Sequence, residues 1–188
     1  MEEFMQNPRV NKLDEFNYYK LRGKIVDLYL HAFTTGEYAQ YIAPETAEST
    51  LDEMIRNGFG NMAFIGDKLV GVLIAFPLKK DPEFPWNVCS DIPRDRSLYI
   101  AEVMVHSDYR GKGIASRLVA DVLRQAAGTY SCAVIRVWER NVPALSLYEK
   151  FGFIRAATIT QEKTNLCGDE LEMKKIYLIK NLEDNELE

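Results

Sequence analysis

A glycine-rich turn between an apolar strand and an amphipathic helix constrains this chain most. The turn reads Arg110-Gly111-Lys112-Gly113-Ile114-Ala115; a strand-like run over residues 99–106 precedes it, and a helix-like run over residues 114–125 follows it. Glycines permit backbone angles and close approaches that a side chain would block, and the first amides of a helix have no partner within it. Those amides and the positive end of the helix dipole favour an anion. The turn therefore predicts a phosphate-binding loop.

The charge balance indicates what kind of phosphate this loop would bind. Arg110 and Lys112 add local positive charge to a chain whose formal net charge is -5. A sequence pI of about 5.2 argues against nonspecific binding to nucleic acid or acidic lipid. We therefore expect a phosphorylated small molecule, with no nucleic-acid and no membrane partner. The loop alone also allows a turn that only links a strand to a helix.

Size and composition predict one domain over residues 1–188. The chain has 188 residues, of which 47% are hydrophobic, enough to bury a sizeable core. Its start is acidic rather than basic and then apolar, and no apolar run approaches the ~18 residues of a membrane span, so we expect a soluble, cytoplasmic protein. With 3 Cys at wide spacings and 2 His, neither a disulfide framework nor a metal site is predicted.

Hydrophobic periodicity predicts a mixed sheet with helices packed against it. Strands are expected at 9–16, 62–65, 69–76, 98–105, 132–138, 153–160 and 172–179, and helices at 18–33, 43–57, 114–125 and from Asn141 to Gly152. Residues 77–97 contain four prolines and show no helix or strand period. We interpret them as a long insertion that serves the substrate.

Two other phosphate-binding motifs fit this chain poorly. A dinucleotide-binding fingerprint would place a third glycine where Ser116 stands, and Glu139 lies too far downstream to be its ribose-binding acid. Too few residues follow the loop for a doubly wound sheet. A P-loop is excluded because the chain has no G-x-x-x-x-G-K-[ST] run.

A second motif downstream strengthens the first. It begins after the apolar strand 132–138 and spans a short helix. Together, the two motifs resemble those of the GNAT superfamily of acyl-CoA-dependent N-acetyltransferases. The first is matched by Arg110, Gly113 and Ala115, and the second by Asn141, Ala144, Tyr148, Gly152 and Phe153. The resemblance is strong from about residue 65 to 179; the first sixty residues and the insertion match only in element order.

The resemblance implies a GNAT fold, of α/β class: a mostly antiparallel sheet with a splayed parallel strand pair, flanked by helices. It implies direct transfer of an acetyl group from acetyl-CoA to a small amine or peptide amine through a tetrahedral intermediate, without a metal. The backbone of Val103, Met104 and Val105 would pair with the pantetheine arm, and an amide of Met104 or Val105 would stabilise the oxyanion. The pyrophosphate would lie on Arg110, Gly111, Lys112, Gly113, Ile114 and Ala115. A homodimer stays open, as does an acyl-CoA sensor or scaffold without turnover.

Individual side chains then acquire expected roles. Glu102 is the candidate general base, although it could instead face solvent or pair with a cation. Tyr148 occupies the family's usual position for the acid that protonates the departing thiolate, although its ring could simply pack. Asn141 would position the cofactor or cap the helix, and Ser116 would bind a phosphate oxygen or merely occupy the first helical turn.

Other residues are expected to take no part in the chemistry. His106 is expected on the surface, and Cys132 in the core rather than as an acyl carrier. The acceptor is expected to contact the amino-terminal helices and the insertion. Phe33, Tyr38, Tyr41, Phe84 and Trp86 could form an aromatic wall there, with Glu37 or Asp91 attracting an ammonium, or could simply pack these segments onto the sheet. Nothing in the sequence selects one type of amine.

Overall fold

The computed structural model describes residues 7–35 and 39–183. This part of the chain forms one seven-stranded sheet in the order β1-β2-β3-β4-β5-β7-β6. All neighbouring strands are antiparallel except β4 and β5, which confirms the predicted fold class. The elements are β1 (Arg9–Leu13), α1 (Glu15–Thr34), α2 (Pro44–Asn57), β2 (Phe59–Ile65), β3 (Lys68–Pro77), β4 (Ser97–Val105), α3 (Ile114–Ala126), β5 (Cys132–Trp138), α4 (Val142–Lys150), β6 (Ile154–Thr164) and β7 (Glu170–Asn181).

The first strand is shorter and the first helix longer than predicted, because a capping box lies between them. The Asp14 carboxylate accepts a hydrogen bond from the Asn17 amide at 2.9 Å, and the Asn17 side chain accepts one from the Asp14 amide at 3.0 Å. This reciprocal pair satisfies amides that open the helix. The helix therefore begins at Glu15, and the prediction of a strand to residue 16 was wrong.

The sheet has two covered faces. On the front face, α1 and α2 pack on β3 and β4 around residues such as Ile74 and Met104. On the back face, α3 and α4 pack on the sheet around residues such as Ile100 and Ile135. Since side chains alternate along a strand, β3 and β4 contribute to both layers. The core is thus split between the two faces.

The proline-rich insertion covers part of the front face. Apart from one short 3-10 turn, Leu78–Lys80, residues 78–96 form turns and bends. Phe84 is buried against Tyr177 of β7, with ring centroids 5.1 Å apart. The insertion is therefore packed onto the sheet beside the area covered by α1 and α2.

Candidate active site

The parallel strands β4 and β5 separate halfway along their length. Their register runs from Ser97 opposite Cys132 to Ile100 opposite Ile135 and ends there, although both strands continue. A bulge at the same level leaves Ala101 unmatched in the pairing of β4 with β3. Among the described residues, no strand pairs with β4 at 101–105 on the side of β5. This edge can accept an extended ligand as an added strand, as the splayed pair was expected to.

The glycine loop lies at the end of β4 and has the geometry predicted for it. Gly111 and Gly113 have φ of 73° and 75°, in the left-handed region, and a Cβ at either would meet no atom within 4 Å. Glycine is therefore required at both positions by the backbone conformation and not by crowding around a side chain. Gly113 is also the N-cap of α3, where no side chain caps the helix. The exposed amides at this helix start fit a polyanion.

Charged side chains flank the same loop. Arg110 donates from Nε to the Val105 carbonyl at 3.4 Å, and its side chain is exposed. The Lys112 ammonium lies 5.1 Å from the centre of the Tyr109 ring. Lys68 of β3 lies 5.0 Å from the same ring. Three cationic side chains therefore lie close to the loop and add attraction for phosphate.

Glu102 lies on the front face at the point where β4 leaves β5, opposite Ile74 of β3. Burial raises the pKa of its carboxyl to about 7, against the opposing effect of the positive charges on Arg136, Lys175 and Lys163. Both protonation states are therefore populated near neutral pH. A carboxyl with such a pKa can take up a proton from an ammonium and release it again.

Tyr148 of α4 is only 5% exposed, and its ring packs edge-on against Phe153 at 5.9 Å. Burial, and next the negative charge of Glu102, raise the pKa of its phenol well above its usual value. The phenol is therefore protonated at neutral pH and can donate. Because Tyr148 packs in the back-face core and Glu102 lies on the front face, the charge of Glu102 acts on Tyr148 from the opposite face of the sheet.

The remaining residues predicted for cofactor binding are distributed along this gap. The side chains of Val103 and Val105 pack with the back-face core, and that of Met104 is 1% exposed in the front-face core. Only their backbone groups are available to a ligand. The Asn141 side chain accepts from the Ala144 amide at 3.3 Å, the helix-capping alternative. Ser116 is partly buried in the first turn of α3.

Two side chains outside the motifs are partly or fully covered. The His106 side chain is 22% exposed and stacks on His31, with ring centroids 4.3 Å apart. Burial and the neighbouring His31 lower its pKa. Phe84, at 4% exposure, is a core residue rather than part of an open wall.

The other acceptor candidates differ in exposure. Tyr41 is 63% exposed, and Phe33 packs on Tyr29 at 4.8 Å. Trp86 is partly buried beside Phe84, at 4.6 Å, and Asp91 is exposed. Glu37 and Tyr38 lie outside the described residues. Cys132 is 8% exposed and burial raises the pKa of its thiol, as expected for a core cysteine.

Sequence reasoning missed an arginine that fastens the insertion to the sheet. Arg136 of β5 donates to Glu83 at 2.7 Å and to the Tyr177 hydroxyl at 3.0 Å, and lies 3.8 Å from Asp81. The Tyr177 hydroxyl in turn donates to Asp81 at 2.8 Å. The only signal was an arginine within an apolar strand, which indicates a buried ion pair without naming its partner.

Two negative findings concern the same described part of the chain. Within it, no group of three or more His, Cys, Asp or Glu side chains is arranged to hold a metal ion. Likewise, none of the helices in residues 7–35 and 39–183 is long and apolar enough to cross a membrane.

Comparison with known proteins agrees with this geometry. The Acetyltransferase (GNAT) family matches residues 24–153. The match includes the splayed strands, the glycine loop and α4, and it shows that the chain belongs to the GNAT family of acetyltransferases. These are transferases that use acetyl-CoA.

Similar proteins include one curated sequence and many solved structures. N-acetyltransferase family 8 member 2 of Rattus norvegicus is 28% identical over 116 residues, which make up 61% of this chain and 47% of that protein. The matched segment thus spans about half of that relative.

Among solved structures, an N-acetyltransferase from Staphylococcus aureus Mu50 has a TM-score of 0.69 at 17% identity, covering 94% of this chain and 99% of that one. The structure of yncA from Salmonella typhimurium, which contains its cofactor acetyl-CoA, has a TM-score of 0.66 at 14% identity, covering 94% and 95%. At such identities the likeness concerns the fold.

Proposed function

We propose that this protein transfers an acetyl group from acetyl-CoA directly to a primary amine. The observation that carries the proposal is the coincidence of three features at one gap. These are the unpaired edge of β4, the uncapped start of α3, and an acid and a base of suited pKa on either side.

Acetyl-CoA is proposed to bind with its pyrophosphate on the loop amides from Arg110 to Ala115 and its pantetheine arm along Val103–Val105. The open edge of β4 supports this placement, because its backbone groups can pair with the amides of the arm. The thioester carbonyl would then lie near the amides of Met104 and Val105. An amide there would stabilise the oxyanion as the amine adds.

The proposed reaction has three steps: removal of a proton, attack on the thioester and collapse of the intermediate. The acceptor reaches the site as an ammonium, and Glu102 takes one of its protons, directly or through water. The amine nitrogen then attacks the carbonyl carbon, forming a C–N bond and a tetrahedral intermediate. When this intermediate collapses, the C–S bond breaks and Tyr148 donates its proton to the sulfur of the departing CoA. The nitrogen of the new amide loses its second proton, which restores the Tyr148 phenol, directly or through water, and Glu102 releases the first proton to solvent. Cys132 takes no part, since its thiol is buried and its pKa raised.

A non-catalytic acyl-CoA sensor is the other candidate. It would need the loop and the open strand edge, but it would not need a buried protonated phenol beside a carboxyl of pKa about 7. The pairing of these two groups favours an enzyme.

A screen of amines with acetyl-CoA tests the proposal. Thiol release is followed for each amine, and the product is identified by mass. We expect thiol release that depends on one class of amine, with one acetyl group added to it. Tight acetyl-CoA binding with no amine-dependent thiol release would instead identify a sensor.

A further inference from the structure

Two lysines on the front face of the last two strands indicate which class of amine this site accepts. This inference rests on the proposed function. Lys175 lies two residues before Tyr177 on β7, and Lys163 lies two residues after Gln161 on β6. Tyr177 and Gln161 both contact the insertion, through Asp81 and Glu83. Since residues i and i+2 share a face, both lysines lie on the front face, as Glu102 does.

Neither lysine has a counter-ion of its own. In residues 7–35 and 39–183, no carboxylate lies within 4.0 Å of either ammonium, the limit that defines an ion pair. The third cation of this surface, Arg136, is already engaged by Glu83 and Asp81. Both lysines are nevertheless partly buried. A partly buried ammonium without an anion is unfavourable, so this surface is suited to bind one.

The electrostatics of Lys175 agree with this geometry. Burial, together with the charges of Lys163 and Arg136, lowers the pKa of its ammonium to about 8. Glu102 and Glu83 oppose that effect only in part. An anion bound here would stabilise the protonated form of the lysine.

The phosphates of CoA are not the anion that these lysines match. The glycine loop leads into α3, which packs on the back face. Lys175 and Lys163 lie on the opposite face of the sheet. They are also on strands beyond β5, on the far side of the gap from β4. This placement points to an anion that the acceptor carries.

We propose that the acceptor is an amine that also carries a carboxylate, as an α-amino acid does. Its nitrogen lies at Glu102, and its carboxylate is bound by Lys175 and Lys163. Strands β4 and β7 lie on either side of β5, so their backbones are at least about 10 Å apart. Polyamines, which carry several positive charges, are repelled by the same lysines.

Matched pairs of acceptors test this inference. The probes are glycine against glycinamide, phenylalanine against phenylalaninamide, and spermidine. We expect kcat/KM to favour the carboxylate member of a pair by about tenfold or more, as for a hydrogen-bonded charge. The amide is the less basic amine, which works against this expectation and makes the test strict. Equal or faster acetylation of the amides or of spermidine would overturn the inference and leave the proposed function intact. If no amine is acetylated, the proposed function itself fails.

Two neighbouring lysines provide a matched pair of variants. Lys175→Gln should remove most of the preference for carboxylate, chiefly through a higher KM, while acetylation of the amide continues. Lys174→Gln removes the same charge from the next position of β7, where the side chain is exposed on the back face, and should keep the preference.

A second variant keeps the test possible if the first one does not fold. If Lys175→Gln does not fold, as judged by thermal unfolding, Lys163→Gln carries the test and should weaken the preference. The assignment is overturned if a folded Lys175→Gln variant keeps the full preference for the carboxylate over the amide. The same result in Lys163→Gln overturns it where that variant is needed.

Discussion

At the scale of single residues, burial gives Glu102 and Tyr148 opposite properties. Burial raises both pKa values, but from different starting points. The carboxyl reaches about 7, so it exchanges protons near neutral pH, whereas the phenol remains protonated. One physical cause, the removal of water from charged groups, thus leaves a carboxyl that exchanges protons and a phenol that stays protonated. These are the properties that the proposed base and the proposed acid require.

Removing the Tyr148 hydroxyl should slow turnover without weakening cofactor binding. Tyr148→Phe keeps the ring that packs on Phe153, so the fold should persist. We expect kcat to fall by about 10²-fold or more, because the thiolate then leaves without a proton donor. Steady-state kinetics measure kcat, and calorimetry should show nearly unchanged acetyl-CoA affinity.

Tyr130→Phe is the matched control for that substitution. Tyr130 follows α3 and lies near the start of β5, at the opposite end of that strand from the open gap. Its variant should retain full turnover. An unaltered kcat in Tyr148→Phe would remove the general-acid assignment.

The pH dependence of the reaction should report Glu102. The base must be deprotonated, so kcat/KM should rise as pH increases through about 7. Burial raises the pKa of Glu102 to this value, and the positive charges of Arg136, Lys175 and Lys163 oppose the rise. In Glu102→Gln we expect kcat/KM to fall by about 10²-fold or more and the rise near pH 7 to disappear.

The corresponding measurement is a pH–rate profile of both proteins with the same amine. The amine's own ionisation is present in both profiles and serves as the internal control. If the variant keeps the rise near pH 7, another group or a water path supplies the base.

At the scale of elements, the local signals were predictable and the irregularities were not. The strand at Cys132–Trp138 was predicted at its observed bounds because it is apolar except for Arg136. The helix after Asn141 was predicted from its cap, its early proline and Gly152. The bulge at Ala101 gives no sequence signal of its own, since it depends on how β3 and β4 pair. Only the family resemblance predicted that β4 and β5 separate.

The glycine loop provides the prediction that belongs to this scale. Gly113→Glu places a carboxylate beside the α3 amides, where it competes with the phosphates and repels them. We expect acetyl-CoA affinity to fall by at least about tenfold. Isothermal titration calorimetry measures the effect.

Gly128→Glu is a close control for this substitution. Gly128 has φ of 81° and open space around its Cβ position, much like Gly113, but lies just beyond the other end of α3. The two variants therefore introduce similar backbone strain and the same charge. Equal affinities in the two variants would exclude the loop as the pyrophosphate site.

At the scale of the whole molecule, the proposed cofactor half of the site has a sequence pattern and the proposed acceptor half has none. The loop and α4 are continuous stretches whose residues form a recognisable pattern. The proposed acceptor side is assembled from distant segments: Arg136 meets Glu83 from 53 positions away, and Tyr177 meets Asp81 from 96. No local pattern links such pairs. The same reason explains why Lys163 and Lys175, on two different strands, were not recognised in the sequence.

Direct transfer requires that one protein molecule binds acetyl-CoA and an amine together across the gap between β4 and β5, with no acetylated protein as an intermediate. The most direct measurement is incubation with acetyl-CoA that carries an isotopic label in its acetyl group. Mass spectrometry then follows the label in the small-molecule amine and in the intact protein. We predict that the label appears on the amine, with one thiol released per acetyl group transferred, while the mass of the protein stays unchanged. A label that accumulates on the protein before it reaches the amine, or that never reaches an amine, would contradict direct transfer.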